Sequence, residues 1–365
     1  MKNIALVLSL FPLAFFFSCS SEEVKSSDNY IEKFELDDII PIEINILNDQ
    51  LLISIWTDPS NYEKLKTKEP KIEVSSGASY SKSKDDWTAK DFQYIVKAEN
   101  GDIRSYKVEI STDIPRKYSF DTWTQANGYY APSGLNSRWT SGNAGISMAL
   151  SMLDNRDNKN PKSYPTRDTT DKYGNAVLLE TIEGGEIKLV KKNVPLFSGN
   201  FIYGNFNLAK ILDELLATEV GRTYNAKPKS IKGYYKYKEG REPFMYNGTP
   251  EPGKHDSCSM NAVFYQSDLP GGKDTVLTAK DIDPRKSESE LVIARASLKD
   301  CSQTEGEEFH EFTATFNYYE NKPAVDFNNH SYKLGITFAA SKYGDDYAGK
   351  IGSKLIIDEI EIIDF

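Results

Sequence analysis

The sequence has few of the residues that nucleophilic and metal-dependent enzymes commonly use. Its 365 residues include three histidines and three cysteines. His255, His310 and His330 stand alone, without an HExxH motif or a GxSxG elbow. No GxGxxG motif, P-loop or zinc-type spacing of cysteine and histidine is present. These absences argue against serine hydrolases, zinc enzymes and enzymes of nucleotide chemistry.

Basic residues are too sparse to form a nucleic-acid-binding surface. The chain has 44 Lys and Arg against 54 Asp and Glu, a net charge of −10. Phosphate recognition needs a dense basic face, and no cluster of lysine and arginine outweighs this charge. An acidic chain with 22 Tyr and 18 Phe favours neutral or weakly charged ligands instead. We expect most of these rings to fill a β core.

The apolar run at the N terminus is short for a membrane span. Lys2 precedes the run from Ile4 to Phe17, and Ser18 and Cys19 end it. This pattern predicts that residues 1–19 are a secretory signal of the lipoprotein type, with cleavage before Cys19 and lipidation of Cys19. A plain signal peptide with an incidental cysteine is the alternative.

The polar segment 20–29 is predicted to be a flexible tether behind the lipid. Ser20–Glu23 resembles the acidic tags that send lipoproteins to the outer surface in some gut Gram-negative bacteria. Two or more acyl chains hold a protein on a membrane stably. We therefore expect a protein of the outer membrane that is lipid-anchored, touches the membrane by its anchor only, and is exposed at the cell surface.

Lipidation of Cys19 leaves Cys258 and Cys301 as an even pair in an oxidising compartment. The sequence leaves two alternatives open for this pair, a disulfide bond or two buried free thiols. A disulfide would serve stability rather than chemistry.

Alternating apolar residues divide the rest of the chain into two all-β regions. Residues 30–112 carry about seven short alternating segments separated by turn residues, of which Asn100–Gly101 is the sharpest hairpin signal. This pattern predicts an immunoglobulin-like sandwich. Residues 113–117, centred on Pro115, are the predicted linker.

The second region, 118–365, has many predicted strands and one short helix near Leu208–Leu216. Many strands and few helices predict a large β-sandwich or jelly roll. Asp154–Thr170 is predicted to be an exposed loop. The strand candidates are Ile146–Leu153, Ala176–Thr181, Glu186–Val190, Asn200–Tyr203, Ile231–Tyr237, Ser259–Tyr265, Leu291–Ser297, Phe309–Phe316, Tyr332–Ala340 and Lys354–Ile363.

Both regions resemble known domains. The stretch YIVKAENGDIRSYKVEI is similar to the final hairpin of small Ig-like domains in surface lipoproteins of glycan-degrading gut bacteria, where such domains act mainly as spacers. The second region resembles the putative carbohydrate metabolism domain family. The residues that carry this resemblance are FDTW at Phe120–Trp123, RWTSGN at Arg138–Asn143, PLFSGNF at Pro195–Phe201, KPKSIKGYYKY at Lys227–Tyr237 and SKYGDDYAGKIGSKLIIDEIEI at Ser341–Ile362.

The resemblance implies a jelly-roll sandwich similar to carbohydrate-binding modules, preceded by an Ig-like domain, on a surface lipoprotein of glycan use. The chain departs from the family by an insert at Leu208–Val220 and by Lys350 in place of a small residue. The activity of the family is itself inferred, so the resemblance supplies no mechanism.

Carbohydrate recognition uses aromatic rings beside hydrogen-bonding side chains, because sugars present apolar C–H faces and hydroxyl edges. The sequence predicts an accessible surface of this kind after the linker. Core packing is the alternative for each ring taken singly. The predicted carbohydrate-binding residues are Trp123, Tyr129, Tyr130, Arg138, Trp139, Asn143, Tyr203, Tyr235, Tyr237, Lys342, Tyr343, Asp345, Asp346 and Tyr347, within a wider set that includes Tyr234 and Asn205.

Hydrolysis of a glycosidic bond would need two facing carboxylates, and the sequence gives no distances. Asp345 and Asp346 could also end a turn or hold a structural calcium ion, which is the one candidate cofactor. The available acids are Glu180, Glu183, Asp256, Asp345, Asp346 and Asp358.

The sequence thus predicts a surface lipoprotein that binds a polysaccharide or oligosaccharide in glycan utilisation. A glycoside hydrolase with paired carboxylates is one alternative. A structural or adhesion protein with a protein partner is another, and other outer-membrane proteins of glycan use are candidate partners.

Overall fold

The computed structural model describes residues 25–37, 39, 42–48, 50–57, 59–126, 128–151, 157, 159–187, 192–241, 243–269, 273–286, 288–304 and 308–365. The predicted signal and the predicted lipidation of Cys19 lie outside these residues. No helix within the described ranges is both long enough and apolar enough to span a bilayer.

The N-terminal region is an immunoglobulin-like sandwich. Its larger sheet has the strand order β2-β3-β7-β6-β5, and the β1–β4 pair packs over it. Buried apolar side chains such as Phe34, Phe92 and Tyr94 fill the space between them, because alternation along each strand points every second residue inward. A 3₁₀ turn at Pro59–Asn61 leads into helix α1, Tyr62–Leu65. The strands are β1 Ile31–Glu35, β2 Ile42–Leu47, β3 Leu52–Thr57, β4 Lys71–Val74, β5 Ser79–Lys82, β6 Gln93–Lys97 and β7 Ile103–Ser111.

The described end of the predicted tether is docked on this sandwich. The backbone N–H of Ser26 donates to Glu99 Oε2 at 3.1 Å, and the Asn100 N–H donates to the Ser26 carbonyl at 3.1 Å. Arg104 Nε donates to Asn29 Oδ1 at 2.6 Å. Residues 26–29 are therefore part of the folded domain, and the prediction of a free tether is wrong for them.

The larger region contains the remaining strands and two α-helices, α2 at Asn143–Ser151 and α3 at Glu214–Ala217. Short 3₁₀ helices occupy Gly134–Arg138, Pro161–Ser163, Leu208–Lys210 and Gly344–Asp346. The strands are β8 Lys117–Tyr118, β9 Trp123–Gln125, β10 Tyr130–Pro132, β11 Trp139–Thr140, β12 Thr166–Asp171, β13 Gly174–Ile187, β14 Lys192–Ser198, β15 Asn200–Phe206, β16 Thr218–Val220, β17 Arg222–Thr223, β18 Pro228–Lys238, β19 Phe244–Tyr246, β20 Thr249–Glu251, β21 Ser259–Gln266, β22 Asp268–Leu269, β23 Lys273–Asp274, β24 Leu277–Thr278, β25 Val292–Ser297, β26 His310–Thr315, β27 Asn317–Tyr318, β28 Tyr332–Ala339, β29 Ala348–Gly349 and β30 Lys354–Asp364.

Two sheets make this region a jelly-roll sandwich, as the sequence predicts. The nine-stranded sheet runs β24-β16-β15-β28-β21-β25-β27, with β11 on β15 and β17 on β28. The seven-stranded sheet runs β12-β13-β30-β18-β26, with β14 on β13 and β8 on β30. The main core lies between the sheets. The outward positions of β26, such as Glu311 and Thr313, are exposed.

Two local predictions are wrong. Residues 146–151 of the strand predicted at Ile146–Leu153 belong to helix α2, whose sequence NAGISMALS contains two Ala, one Met and one Leu as good helix formers, and residues 152–153 lie outside the described ranges. Part of the predicted loop Asp154–Thr170 is strand β12, and the side chain of Tyr164 before it is buried against Tyr129. Tertiary packing overrides the polar local composition there.

A disulfide joins Cys258 to Cys301, one of the two alternatives that the sequence left open. It connects the residue before β21 to the loop after β25. The two Cα atoms are 5.2 Å apart, and 43 positions separate the cysteines in the sequence.

A buried ion cluster joins the two regions. Glu43 of β2 accepts hydrogen bonds from the Arg138 guanidinium at 3.2 Å and from the Thr223 N–H at 2.7 Å. Arg222 Nη1 lies 3.7 Å from Glu43 Oε1 and also contacts the Asn45 side chain. Burial raises the pKa of Glu43, but the two guanidinium groups outweigh burial and the net pKa is lowered. The carboxylate is therefore ionised and holds the regions together.

Candidate functional site

The most prominent predicted aromatic residues are in the core. The side chains of Trp139, Tyr203 and Tyr237 are fully buried between the two sheets. The Trp139 ring stacks on Phe201 with ring centroids 5.0 Å apart and planes within 6°. These three rings have no face left for a sugar, so their predicted role in binding is wrong. Alternation placed them inward, where large rings fill the sandwich.

Three further predicted binding residues are also buried. Tyr129 packs on Tyr164 in a small separate cluster. Asn143 donates its side-chain N–H to the Thr166 carbonyl at 2.5 Å. Arg138 is held by Glu43, as described above. These side chains are almost fully buried and make internal contacts, so binding is wrong for these residues too.

The remaining predicted residues of the opening stretch and of β18 are partly accessible. Trp123 is half-buried and donates Nε1–H to the Phe120 carbonyl at 2.7 Å. Tyr130 is 37% exposed. Tyr235 is half-buried and packs against the main core. These rings lie on different elements and contribute to no common platform in the described contacts.

The predicted residues near the C terminus form an accessible turn held by an arginine. Arg285 donates to Asp345 Oδ2 at 2.6 Å and to Asp346 Oδ2 at 2.9 Å. Its guanidinium also lies 5.2 Å from the ring centre of Tyr343. Burial raises the pKa of Asp345. The flanking residues Lys342 and Tyr347 are exposed and half-buried respectively.

The prediction of a structural calcium ion gains no support from this turn. Within the described ranges, no group of three or more His, Cys, Asp and Glu side chains is arranged to hold a metal ion. Arg285 and Lys286 already form salt bridges with the two carboxylates that the prediction assigned to calcium.

The outer face of the seven-stranded sheet carries a different site, built by a break in the β18–β30 ladder. Lys232 pairs with Glu361 and Tyr234 pairs with Asp358, so one residue of β18 faces two residues of β30. The extra residue is a β-bulge. Glu359 at the bulge has a φ of 49°, a left-handed conformation that costs energy for a residue with a side chain. Bulges of this kind are frequent beside functional sites.

A cavity of about 140 Å³ opens at the bulge. Pockets for drug-sized ligands are roughly 300–1,000 Å³, so this one suits a single ring or substituent of a larger ligand. Five of its lining residues bear charges, and Tyr234 supplies an aromatic edge. The charged lining residues are Lys117, Lys232, Glu311, Glu359 and Glu361.

Tyr234 lines the cavity and is the first of three rings in contact. The ring centre of Tyr173, in the turn between β12 and β13, lies 4.9 Å from that of Tyr234 and 5.8 Å from that of Phe309. Tyr173 is 37% exposed. Offset rings at these distances support one another and form a firm apolar surface. We refer to Tyr173, Tyr234 and Phe309 as the ring platform.

Asp358 lies opposite Tyr234 and is fully buried. Its Oδ1 accepts the Glu359 N–H at 2.8 Å, whereas Oδ2 has no hydrogen-bond partner in the structure. Burial raises the pKa of Asp358 to about 7, and the negative charges of Glu359, Asp121 and Asp171 add to the shift. A buried carboxyl group that lacks a hydrogen-bond partner and lies near other carboxylates favours its neutral, protonated form.

Two of the other acids considered for hydrolysis are engaged in structural contacts. Glu180 is paired with Arg167 and with Lys354, whose Nζ lies 3.3 Å away. Asp256 Oδ2 accepts hydrogen bonds from two serine hydroxyls and from the Lys350 N–H at 2.6–2.8 Å. Burial raises the pKa of Asp256, which these bonds partly offset. Asp358 differs from both in having an unpartnered oxygen.

The sequence analysis did not identify Tyr173 and Phe309 as candidate binding residues. It did not rank Asp358 above the other acids considered for hydrolysis. One signal for the bulge was present in the sequence. Core residues alternate through Leu355 and Ile357 and then resume at Ile360 and Ile362, a shift by one residue in the period-two pattern. A shift of this kind indicates an extra residue in the strand.

Comparisons with known proteins relate the chain to carbohydrate metabolism. Residues 109–363 match the family described as "Putative carbohydrate metabolism domain". A crystal structure titled "putative glycoside hydrolase" from Bacteroides thetaiotaomicron is 26% identical, with a TM-score of 0.79 over 94% of this chain and 99% of that one. Another with the same description, from Bacteroides vulgatus, is 28% identical, with a TM-score of 0.58 over 69% of this chain and 99% of that one. No curated protein matches the sequence.

Proposed function

Because the chain belongs to the putative carbohydrate metabolism domain family, we propose that it binds a glycan on the outer face of the seven-stranded sheet. The observation that carries this proposal is the ring platform beside the bulge cavity. Rings outside the core offer the apolar surface that a sugar ring needs, and the cavity offers charged hydrogen-bonding groups at its edge.

The shape of the site fits one sugar unit held within a longer chain. The cavity is small, and the adjoining outward positions of the sheet remain accessible, so neighbouring units can lie along the surface. Few rigid contacts give modest affinity for one site. Display of many copies on a surface raises the overall affinity by multivalency.

We place this binder at the cell surface as a lipid-anchored protein. Support for this location comes from the N-terminal run that ends in Cys19. A lipid anchor and the immunoglobulin-like domain between it and the jelly roll would hold the site away from the bilayer.

Affinity electrophoresis in gels that contain host and plant polysaccharides tests the proposal. We expect at least one polysaccharide to retard the protein. Tyr173→Ala removes the accessible ring of the platform. We expect the retardation to decrease and the Kd derived from it to rise about tenfold, equivalent to ~1.4 kcal/mol of binding free energy. Tyr246→Ala is the control, because Tyr246 is also an exposed tyrosine beside a hairpin turn, at 52% exposure.

Equal losses in both variants, or no retardation by any polysaccharide, would refute binding at this face. Capture of an outer-membrane protein in place of a glycan would favour the adhesion alternative.

Glycoside hydrolysis is the second candidate, and Asp358 is the observation that favours it. A general acid must hold its proton at the working pH, and a pKa near 7 meets that condition. Two solved structures similar to this chain carry the description "putative glycoside hydrolase". Asp358 is fully buried, so catalysis would require this carboxyl group to become accessible to the substrate. Release of reducing ends from the same polysaccharides, lost in Asp358→Asn, is the result that would establish it.

A further inference from the structure

We propose that the glycan bound at this site carries a free amino group, as in a chain of 2-amino sugars, and that Glu311 and Glu359 bind this ammonium group. This inference rests on the proposed glycan binding and specifies the chemical class of the ligand.

Two carboxylates of the cavity have no salt bridge, and Lys232, which lies close enough to Glu311 to attract it, is bound to another acid. Lys117 and Lys232 both bind the same acid, with Nζ to Glu361 oxygen distances of 3.3 and 2.9 Å. Glu311 and Glu359 line the same cavity, and neither side chain forms a hydrogen bond or a salt bridge among the described residues. A ligand that brings a positive charge would supply the missing partner, and a charge-assisted hydrogen bond is the stronger kind.

The surroundings of the cavity add negative charge. Asp121 and Asp171 lie close enough to raise the pKa of Asp358. Lys236 approaches Asp171 only to 4.0 Å. Three carboxylates against two lysines give the cavity lining a net negative charge. This excess of negative charge favours an ammonium group over uronic acids and sulfated sugars inside the cavity, although Lys172 lies 5.2 Å from the ring centre of Tyr173 beside it.

Backbone geometry indicates that Glu359 is placed here at an energetic cost. The bulge holds it in the left-handed region, where glycine would be favoured. A glutamate retained at such a position, lining a cavity beside three rings, has the features of a ligand contact. Asp358 next to it is fully buried, and its Oδ2 has no hydrogen-bond partner although its Oδ1 accepts the Glu359 N–H.

The arrangement matches an amino sugar in a second respect. An ammonium group on a pyranose ring lies beside apolar C–H groups, and here the carboxylates lie beside Tyr234. Ring stacking and charge pairing can therefore act on one sugar unit. An N-acetylated sugar keeps the C–H face but loses the charge.

Isothermal titration of the purified protein with three tetrasaccharides at about pH 6 tests the inference. The ligands are a glucosamine tetramer, its N-acetylated counterpart and a galacturonic acid tetramer. Exposed carboxylates are ionised and sugar amines are protonated near this pH. We expect the glucosamine tetramer to bind about tenfold more tightly than its acetylated counterpart, and the preference to shrink as salt rises.

The double variant E311Q/E359Q should lose this preference and still bind the acetylated tetramer. Glu320→Gln is the matched control, because Glu320 is an exposed glutamate of the same region outside the site. Equal affinity for the free and acetylated tetramers, tighter binding of the galacturonic acid tetramer, or an unchanged preference in E311Q/E359Q would overturn the inference and leave glycan binding in place. Failure of every glycan in the earlier gel panel would instead refute the proposed function itself.

Discussion

Asp358 is the residue whose ionisation the fold opposes most clearly. Burial and nearby carboxylates raise its pKa to about 7, whereas an aspartate in an unfolded chain titrates near 3.9. Between these values the unfolded chain loses the proton and the folded protein keeps it. The contribution of Asp358 to the free energy of unfolding is therefore fully present below about pH 4 and is lost as the pH rises towards 7.

We expect Asp358→Asn to abolish this loss of folding stability at higher pH. The variant should equal the wild type in free energy of unfolding near pH 4 and exceed it by on the order of 2–4 kcal/mol at pH 8. Urea unfolding at the two pH values measures the difference. Asp37→Asn, at an exposed aspartate paired with Lys71, is the control and should show no gain at pH 8. An Asn variant no more stable than the wild type at pH 8 would contradict a neutral, buried acid.

Residue identity alone could not separate binding aromatics from core aromatics. Trp139 stands in a stretch rich in turn residues and Tyr203 ends a predicted strand; the prediction made both accessible, but they fill the core. Tyr173 and Phe309 lie far apart in the sequence and meet only because a turn and a strand edge bring them beside Tyr234. Residues that are far apart in the sequence form this surface, so no local sequence pattern predicts it.

At the scale of elements, period-two alternation predicted the strands well wherever it was regular. Strands β18, β21, β28 and β30 lie within a few residues of their predicted ranges, because both sheets bury one face of each. The prediction failed at helix α2 and at strand β12, where the sequence has no regular period-two alternation. The bulge in β30 was also passed over as an uninterrupted strand.

Replacement of the bulge residue by glycine tests whether Glu359 is held under strain. Glycine adopts a φ of 49° without a side-chain penalty, so Glu359→Gly should keep or raise the free energy of unfolding by about 0.5–1 kcal/mol. Urea unfolding measures the effect. The control is Glu361→Gly, which removes the partner of two lysines from a regular strand position and should lower stability by about 1 kcal/mol.

A clear loss of stability in Glu359→Gly would show that the side chain supports the fold. In that case its position at the cavity would not indicate a contact kept for a ligand.

At the scale of the whole molecule, the ion cluster around Glu43 joins the immunoglobulin-like domain to the jelly roll. Removal of one partner from a buried cluster leaves uncompensated charge, here on Arg138 and Arg222. We expect Glu43→Ala to lower the free energy of unfolding by about 3–5 kcal/mol. Differential scanning calorimetry should then resolve two transitions in place of one.

Glu73→Ala is the control for this effect, because Glu73 forms an exposed pair with Lys33 at 3.2 Å. Exposed pairs contribute about 0–1 kcal/mol. If Glu43→Ala were as mild as Glu73→Ala, the two domains would be independent, and the spacer would act as a simple flexible arm.

Burial of the indole rings decides which optical signals can report on this protein. Trp56, Trp87 and Trp139 are sealed inside, and Trp123, the fourth tryptophan, packs on Phe201. Their emission will follow denaturation closely and will respond little to a saccharide on the outer sheet. A tryptophan introduced at Tyr173 would supply a fluorophore where the ligand is expected to dock.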